Sequence, residues 1–167
     1  MSSPLRLGLP VAAGLLLADQ LSKWWILDVL RLPEIRQVKL LDLGFAGFDL
    51  TMVWNRGVTF GLLAGDTLPH RLMLAALALI VCAVLLRWMA RAENRLTTLA
   101  LGGIVGGAIG NVIDRLRFGA VVDFADAWVG DFHWYVFNLA DAAIVLGVVA
   151  LIGDALFRPR ATAKESP

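Results

Sequence analysis

Residues 136–156 read VFNLADAAIVLGVVALIGDAL and form a long apolar stretch with one acid near its start. From Ala142 to Ile152 every residue is apolar or glycine, and the stretch has the roughly 20 residues that a helix needs to cross a bilayer core. Asp141 begins the apolar run. A carboxylate at membrane depth costs about 3 kcal/mol and by default marks a functional site. The stretch therefore predicts a membrane helix that carries a functional acid.

Three further apolar segments resemble this one: residues 5–27, 68–89 and 96–113. The composition agrees, because 59% of the residues are hydrophobic, 17% are charged and the mean hydropathy is +0.73. A soluble domain carries about 25% charged residues. We predict an all-α polytopic membrane protein with four transmembrane helices, in a single domain over residues 1–167.

The composition also excludes several kinds of site. A net charge of +1 provides no basic field to attract nucleic acid. Cys82 is the single cysteine and lies in an apolar run, so we interpret it as a packing residue. His70 and His133 are far apart in the chain and have no cluster of metal-ligand spacing around them. We expect neither a metal nor a cofactor.

The first segment has a second interpretation. Arg6 followed by apolar residues 7–18 is typical of a signal-peptide core. However, no small-x-small cleavage signal follows, since Ala18 precedes Asp19, and the hydrophobicity resumes at Trp24. We favour a retained helix.

Charge placement predicts the topology. Four crossings put both termini on one side, and that side carries dense positive charges close to helix ends, at Arg6, Arg87, Arg91, Arg95, Arg158, Arg160 and Lys164. The positive-inside rule makes it cytoplasmic. The opposite side has as many basic residues, but they are spread over two longer loops.

The larger outer loop, residues 28–67, contains branched and alternating apolar residues at 37–54, which predicts two or three short strands in a lid on the outer membrane face. The second, 117–135, is short and aromatic.

The deep polar residues fall in one layer. Trp24 and Trp134 are expected in the outer interfacial belt of aromatic residues. Asp141 lies six residues beyond Tyr135, which is roughly 9 Å along the helix at 1.5 Å per residue, and Asp19, five residues before Trp24, lies at a similar depth. Asp114 and Arg115 are expected to close the third helix at its outer end. The functional chemistry is therefore predicted just beneath the outer surface.

Spacing indicates which of these residues share a face. Gly102, Gly106 and Gly110 follow a four-residue spacing that lets helices approach closely in lipid, which also helps to bring Asp123 toward the fourth helix. Asn111, Asp114 and Arg115 share one helix face, because they are three and four residues apart. Two interpretations of this set are open: a capping cluster at a helix end, or a polar wall that orients substrate.

Two other polar pairs have the same kind of spacing. Asp19 and Lys23, four apart, are favoured as a structural ion pair. Asn138 and Asp141, three apart, share a face, and a functional role is favoured because nothing nearby in sequence neutralises the acid. Asn55 begins a polar, glycine-containing turn that could bind a peptide carbonyl, although this signal is weak by itself.

Two convergent carboxylates have a specific chemistry. Asp123 and Asp141 could not both ionise cheaply if they lay a few Å apart, so one would keep a proton while the other acts as a base. The base would activate a water molecule to attack a peptide carbonyl, and the protonated acid would stabilise the oxyanion. This reaction needs no metal and no nucleotide.

The residues that carry these signals match a family in order and spacing. The chain resembles the bacterial lipoprotein signal peptidase (signal peptidase II) over roughly residues 15–155, through the blocks Asp19-Gln20-x-x-Lys23, Asn55-x-Gly57, Gly110-Asn111-x-x-Asp114-Arg115, Val121-Val122-Asp123-Phe124 and Phe137-Asn138-x-Ala140-Asp141. The resemblance implies four membrane helices with a β-cradle on the outer face. It also implies a catalytic dyad of Asp123 and Asp141, with substrate-binding or supporting roles for Asn55, Gly57, Asn111, Asp114, Arg115, Asn138 and Ala140.

The resemblance further implies an intramembrane aspartyl endopeptidase of the bacterial inner membrane. Its substrates would be prolipoproteins that carry diacylglycerol on a cysteine, cut on the N-terminal side of that cysteine. Membrane lipids would surround it, globomycin-type cyclic peptides would inhibit it, and a monomer is expected. One departure, Val58-Thr59 where the family is alanine-rich, bears on substrate preference and inhibitor binding. The rival hypotheses are an ion- or proton-coupled transporter and an inactive lipid-binding relative.

Overall fold

The computed structural model describes residues 4–57, 65 and 67–157. Within these residues, five helices and four strands follow one another, with a π-helical turn (Trp25–Val29) directly after the first helix. The helices are α1 (Pro4–Trp24), α2 (Leu32–Ile35), α3 (Leu68–Ala90), α4 (Arg95–Phe118) and α5 (Leu139–Phe157). The strands are β1 (Gln37–Asp42), β2 (Ala46–Asn55), β3 (Val121–Val129) and β4 (Phe132–His133). The departure at Val58-Thr59 lies outside the described residues.

Three helices among the described residues are long and apolar enough to cross a membrane, namely α3, α4 and α5. The predicted fourth span, residues 5–27, is not confirmed. α1 has 21 residues, but its last turns hold the buried ionic side chains of Asp19 and Lys23, and the chain then changes to the π-helical turn. The mostly helical architecture with a small antiparallel sheet is confirmed.

α4 lies among the other long helices and packs against α1, α3 and α5. Its glycines allow this close approach. A Cβ on Gly102 would lie 2.6 Å from the carbonyl oxygen of Gly8 on α1, and a Cβ on Gly107 would lie 2.5 Å from the carbonyl oxygen of Ala140 on α5. Both separations are shorter than any real Cβ contact, so only glycine permits this packing.

α4 extends further than predicted. It continues to Phe118, so Asp114 and Arg115 lie within its last two turns rather than at its end. Gly119 ends the helix with a φ of 77°, in the left-handed region that glycine adopts without strain. The chain then turns directly into β3.

The four strands form one antiparallel sheet in the order β1-β2-β3-β4. Residues 37–54 supply two of these strands, as predicted. β3 and β4 were not predicted: they lie between α4 and α5, in the segment 117–135 that the sequence described only as a short, aromatic outer loop. β3 pairs with most of β2, and Asp123 is opposite Val53 in that ladder. The sheet packs through a small core of Ile26, Leu32 and Leu50 against the segment that follows α1.

Candidate active site

Asp123 and Asp141 lie on different elements and are joined through two amide side chains. Asn138 Nδ2 donates to Asp123 Oδ1 at 2.7 Å, and Asn111 Nδ2 donates to Asp141 Oδ1 at 2.8 Å. The two amides also contact each other, since Asn138 Nδ2 lies 3.2 Å from Asn111 Oδ1. A continuous hydrogen-bonded chain therefore links the two carboxylates across β3, α4 and α5.

Asn138 fixes the start of α5. Its side-chain oxygen accepts the backbone N–H of Asp141 at 2.9 Å, which is the bond that an N-cap residue makes. The predicted helix start at 136 is therefore too early. Phe137 instead extends the sheet, because its backbone exchanges hydrogen bonds with that of Ala125. Asp141 consequently stands in the first turn of α5, close to the end of β3.

Asp123 is fully buried, whereas Asp141 is only partly buried. Burial, and then the negative charge of Asp141, raise the pKa of Asp123 to about 7, while the hydrogen bonds from Asn55 and Asn138 act in the opposite direction. Asn55 Nδ2 donates to Asp123 Oδ2 at 3.0 Å. Asp123 therefore holds a proton in a large fraction of molecules near neutral pH.

Arg115 connects α4 to the chain that follows β2. Its guanidinium donates to the carbonyl oxygen of Gly57 at 2.7 Å and to that of Asn111 at 3.3 Å. Gly57 in turn donates its N–H to Asn55 Oδ1 at 3.1 Å. Asn55 therefore uses both ends of its amide, one for the turn and one for Asp123. These contacts place Asn55, Gly57 and Arg115 beside the dyad.

Asp114 precedes Arg115 in the sequence but binds Lys23 of α1. Lys23 Nζ lies 2.7 Å from Asp114 Oδ2 and 2.8 Å from Asp19 Oδ2, and all three side chains are buried. We call these three residues the Lys23 triad. Gln20 Nε2 also donates to Asp114 Oδ1 at 3.0 Å. The i, i+4 pair expected from the sequence is present, but it is part of a larger buried network.

Ala140, the remaining residue of the predicted set, is buried against Gly107 of α4. The structure therefore gathers around the two aspartates all of the predicted residues: Asn55, Gly57, Asn111, Asp114, Arg115, Asn138 and Ala140. Asp19 and Lys23 lie directly behind them. Among the described residues, no group of three or more His, Cys, Asp or Glu side chains is arranged to hold a metal ion.

The sequence reasoning missed one polar cluster on the sheet. Asp49 and Asp126 lie opposite each other on β2 and β3 and are both buried. Thr51 donates to Asp126 at 3.0 Å, Gln37 donates to Asp49 at 3.0 Å, and His133 contacts Asp126 at 2.9 Å. The only signal in the sequence was the alternation of polar residues along β2. This alternation did not reveal the cluster, because β3, the strand that pairs with β2, was not predicted from the sequence.

A family described as signal peptidase (SPase) II matches residues 11–157. The lipoprotein signal peptidase of Methylobacterium sp. (strain 4-46) is 46% identical over 93% of this chain and 98% of its own length. That of Rhodopseudomonas palustris (strain ATCC BAA-98 / CGA009) is 42% identical over 92% and 94%. A bacterial membrane enzyme solved by the in meso method at 2.3 Å resolution has a similar fold, with a TM-score of 0.71 and 24% identity over 94% of each chain.

Proposed function

The chain belongs to the signal peptidase II family, and we propose that it is an intramembrane aspartyl endopeptidase that removes signal peptides from diacylglyceryl-modified prolipoproteins. The cut is proposed on the N-terminal side of the lipidated cysteine. One observation carries the aspartyl assignment: Asp123 and Asp141 are joined by Asn138 and Asn111 in one hydrogen-bonded chain.

The proposed reaction divides two roles between the carboxyl groups. Asp123 is the acid, because its burial and the neighbouring negative charge raise its pKa to about 7. Asp141, which is less buried, is the base and removes a proton from a water molecule. The water oxygen then bonds to the scissile carbonyl carbon, while the proton of Asp123 stabilises the developing oxyanion. When the C–N bond breaks, Asp141 returns its proton to the leaving amine, and Asp123 regains its own as the carboxylic acid forms.

The site is proposed to lie beneath the outer surface of the bacterial inner membrane, with both termini cytoplasmic and α1 as a fourth crossing. Trp24, the last residue of α1, and Trp25, the first of the π-helical turn, are 53% and 45% exposed, as expected for side chains at the lipid headgroup level. Diacylglycerol on the substrate cysteine would occupy the same leaflet. The acyl chains would then hold the scissile bond at the depth of the dyad. A monomer with no cofactor suffices for this reaction, and globomycin-type cyclic peptides are proposed to bind at Asp123 and Asp141.

The proposal is tested with a purified lipidated precursor and its unlipidated twin in the same lipid. The wild-type protein should cleave only the lipidated form, before its cysteine. Asp123→Asn and Asp141→Asn should each lower kcat by about 1,000-fold or more, because the dyad acts as a unit. Asp131→Asn, a carboxylate on the exposed hairpin between β3 and β4, is the matched control and should retain activity. Efficient turnover by either dyad variant would refute the aspartyl mechanism.

A further inference from the structure

The two acids of the Lys23 triad each bind a backbone N–H that directly precedes a dyad residue. Asp114 Oδ2 accepts the N–H of Val122 at 3.1 Å, and the next residue is Asp123. Asp19 Oδ1 accepts the N–H of Ala140 at 3.0 Å, and the next residue is Asp141. The triad thus makes the same contact twice, once on β3 and once on α5.

A single ammonium group ties these two contacts together. Lys23 Nζ lies between Asp19 Oδ2 at 2.8 Å and Asp114 Oδ2 at 2.7 Å. The separation of the two carboxylates is therefore set by the span of one charged group, and the two backbone amides follow them. Because each amide adjoins a dyad residue, this span also bears on the separation of Asp123 and Asp141.

Lys23 makes a third contact that reaches the dyad through a side chain. Its Nζ lies 3.2 Å from Asn111 Oδ1. An ammonium group can only donate, so this bond requires the oxygen of the Asn111 amide to face Lys23. The amide nitrogen then faces the other way, where it donates to Asp141 Oδ1 at 2.8 Å. Lys23, together with Asn138 Nδ2, which donates to the same oxygen at 3.2 Å, therefore holds the Asn111 amide in the orientation that binds Asp141.

A purely stabilising role explains this arrangement poorly. Burying charged groups costs about as much as their mutual attraction returns, and well-packed apolar side chains of similar volume are often as stable or more stable. A buried ionic network is better explained where it fixes a geometry. The Lys23 triad fixes such a geometry through its directed contacts to Val122, Ala140 and Asn111.

We propose that the Lys23 triad is the positioning device of the dyad, and that it sets the separation and orientation of Asp123 and Asp141 from α1. Asp19, Lys23 and Asp114 are positioning residues and do not touch the substrate. This inference rests on the proposed function, since it needs the dyad to be catalytic. The wild-type assay tests that premise, whereas the variants below test the positioning alone.

Two variants isolate the positioning role. Asp19→Asn has nearly the same shape, but its amide can accept from only one of the two groups, Lys23 and the Ala140 N–H. The double variant Asp19→Asn with Lys23→Met removes one charge of each sign and so keeps the net charge of the triad. Asp154→Asn is the matched control, because Asp154 also accepts two side-chain hydrogen bonds, from Asn94 and Thr97, and lies away from the dyad.

Turnover is measured per folded molecule, with the folded fraction taken from size-exclusion chromatography. Both test variants should lower kcat by about 10- to 100-fold while KM changes by less than about threefold, because small misplacements of catalytic groups affect the chemical step most. The double variant should also move the alkaline limb of the pH profile upward, since the charge of Lys23 lowers the pKa of Asp123. Asp154→Asn should change neither quantity.

Two outcomes would overturn the proposal. One is a kcat per folded molecule that stays within about twofold of wild type in both test variants, with the alkaline limb unmoved. The other is that neither variant yields folded protein while Asp154→Asn folds normally, since the triad would then act through stability alone. If the wild-type protein itself fails to cleave the lipidated precursor, the premise has failed instead.

Discussion

Replacing Asn55 by alanine should shift the pH dependence of catalysis in a known direction. Asn55 donates a hydrogen bond of 3.0 Å to Asp123, and this bond favours the ionised form of the carboxyl group. The pKa of Asp123, raised to about 7 by burial and by Asp141, would be higher still without that bond. Because the proposed mechanism needs Asp123 protonated, activity should fall as pH rises through this pKa.

The size of the shift follows from the strength of the bond. A hydrogen bond to a charged group contributes about 1.5–3 kcal/mol, and one pKa unit corresponds to about 1.4 kcal/mol. Water that enters the space left by the amide would replace part of the lost bond, so we take the lower end of the range. The alkaline limb of kcat/KM, expected near pH 7 in the wild type, should move upward by about one unit in Asn55→Ala.

The assay is kcat/KM for a lipidated precursor between about pH 5.5 and 9.5, in uncharged lipid so that no surface potential changes the local pH. Asn94→Ala is the matched control. Asn94 also donates to an aspartate, Asp154, at 2.8 Å and also accepts a backbone N–H, that of Thr97, at 2.7 Å. It should lose some stability and leave the limb in place. An alkaline limb in Asn55→Ala at the wild-type pH, or below it, would refute the assignment of Asp123 as the acid.

The other predictions concern stability. The folded pKa of Asp123, about 7, lies above its ordinary value of 3.8, so the folded protein retains a proton that the unfolded chain releases. The free energy of unfolding should therefore fall by up to about 4 kcal/mol as pH rises from about 4 to 7, and then level off. In a thermal scan the midpoint should fall over the same pH range, and Asp123→Asn should flatten this profile. In Gly107→Val the new Cβ would lie 2.5 Å from the Ala140 carbonyl oxygen, and we expect a midpoint lower by about 4–10 °C. Gly153→Val, where a Cβ meets nothing within 4 Å, should change it by less than about 3 °C, and equal losses in the two variants would contradict the packing argument.

The long apolar helices could be predicted well because their signal is local. Residues 68–89 were predicted as a span, and α3 covers Leu68–Ala90. The end of α4 was predicted five residues too early because Asp114 and Arg115 suggested a polar terminus. In the structure their partners come from elsewhere, Lys23 on α1 for one and the Gly57 carbonyl for the other. Without knowledge of such distant partners, charged residues after an apolar stretch are taken as the end of the helix. With those partners in place, the same residues lie inside the helix.

β3 was missed for a related reason. Its sequence VVDFADAWV carries acids at two positions, and the segment was predicted as part of an aromatic loop. The strand exists because β2 offers a long antiparallel partner and because Asp114 binds the N–H of Val122. Strand pairing depends on residues far away in the chain, and a single segment does not carry that information.

Three long apolar helices, the glycines that let them approach and the polar residues of the candidate site could all be read from the sequence. These follow from side-chain hydropathy and from helical spacing, which add up along a short stretch of chain. The connections between these groups depend on long-range packing: Asn111 and Asn138 lie between the two acids, and the acids of the Lys23 triad accept the backbone N–H groups that precede Asp123 and Asp141. A hydrogen bond depends on the direction and distance of two partners, and here those partners are up to 121 residues apart. Folding alone sets that geometry.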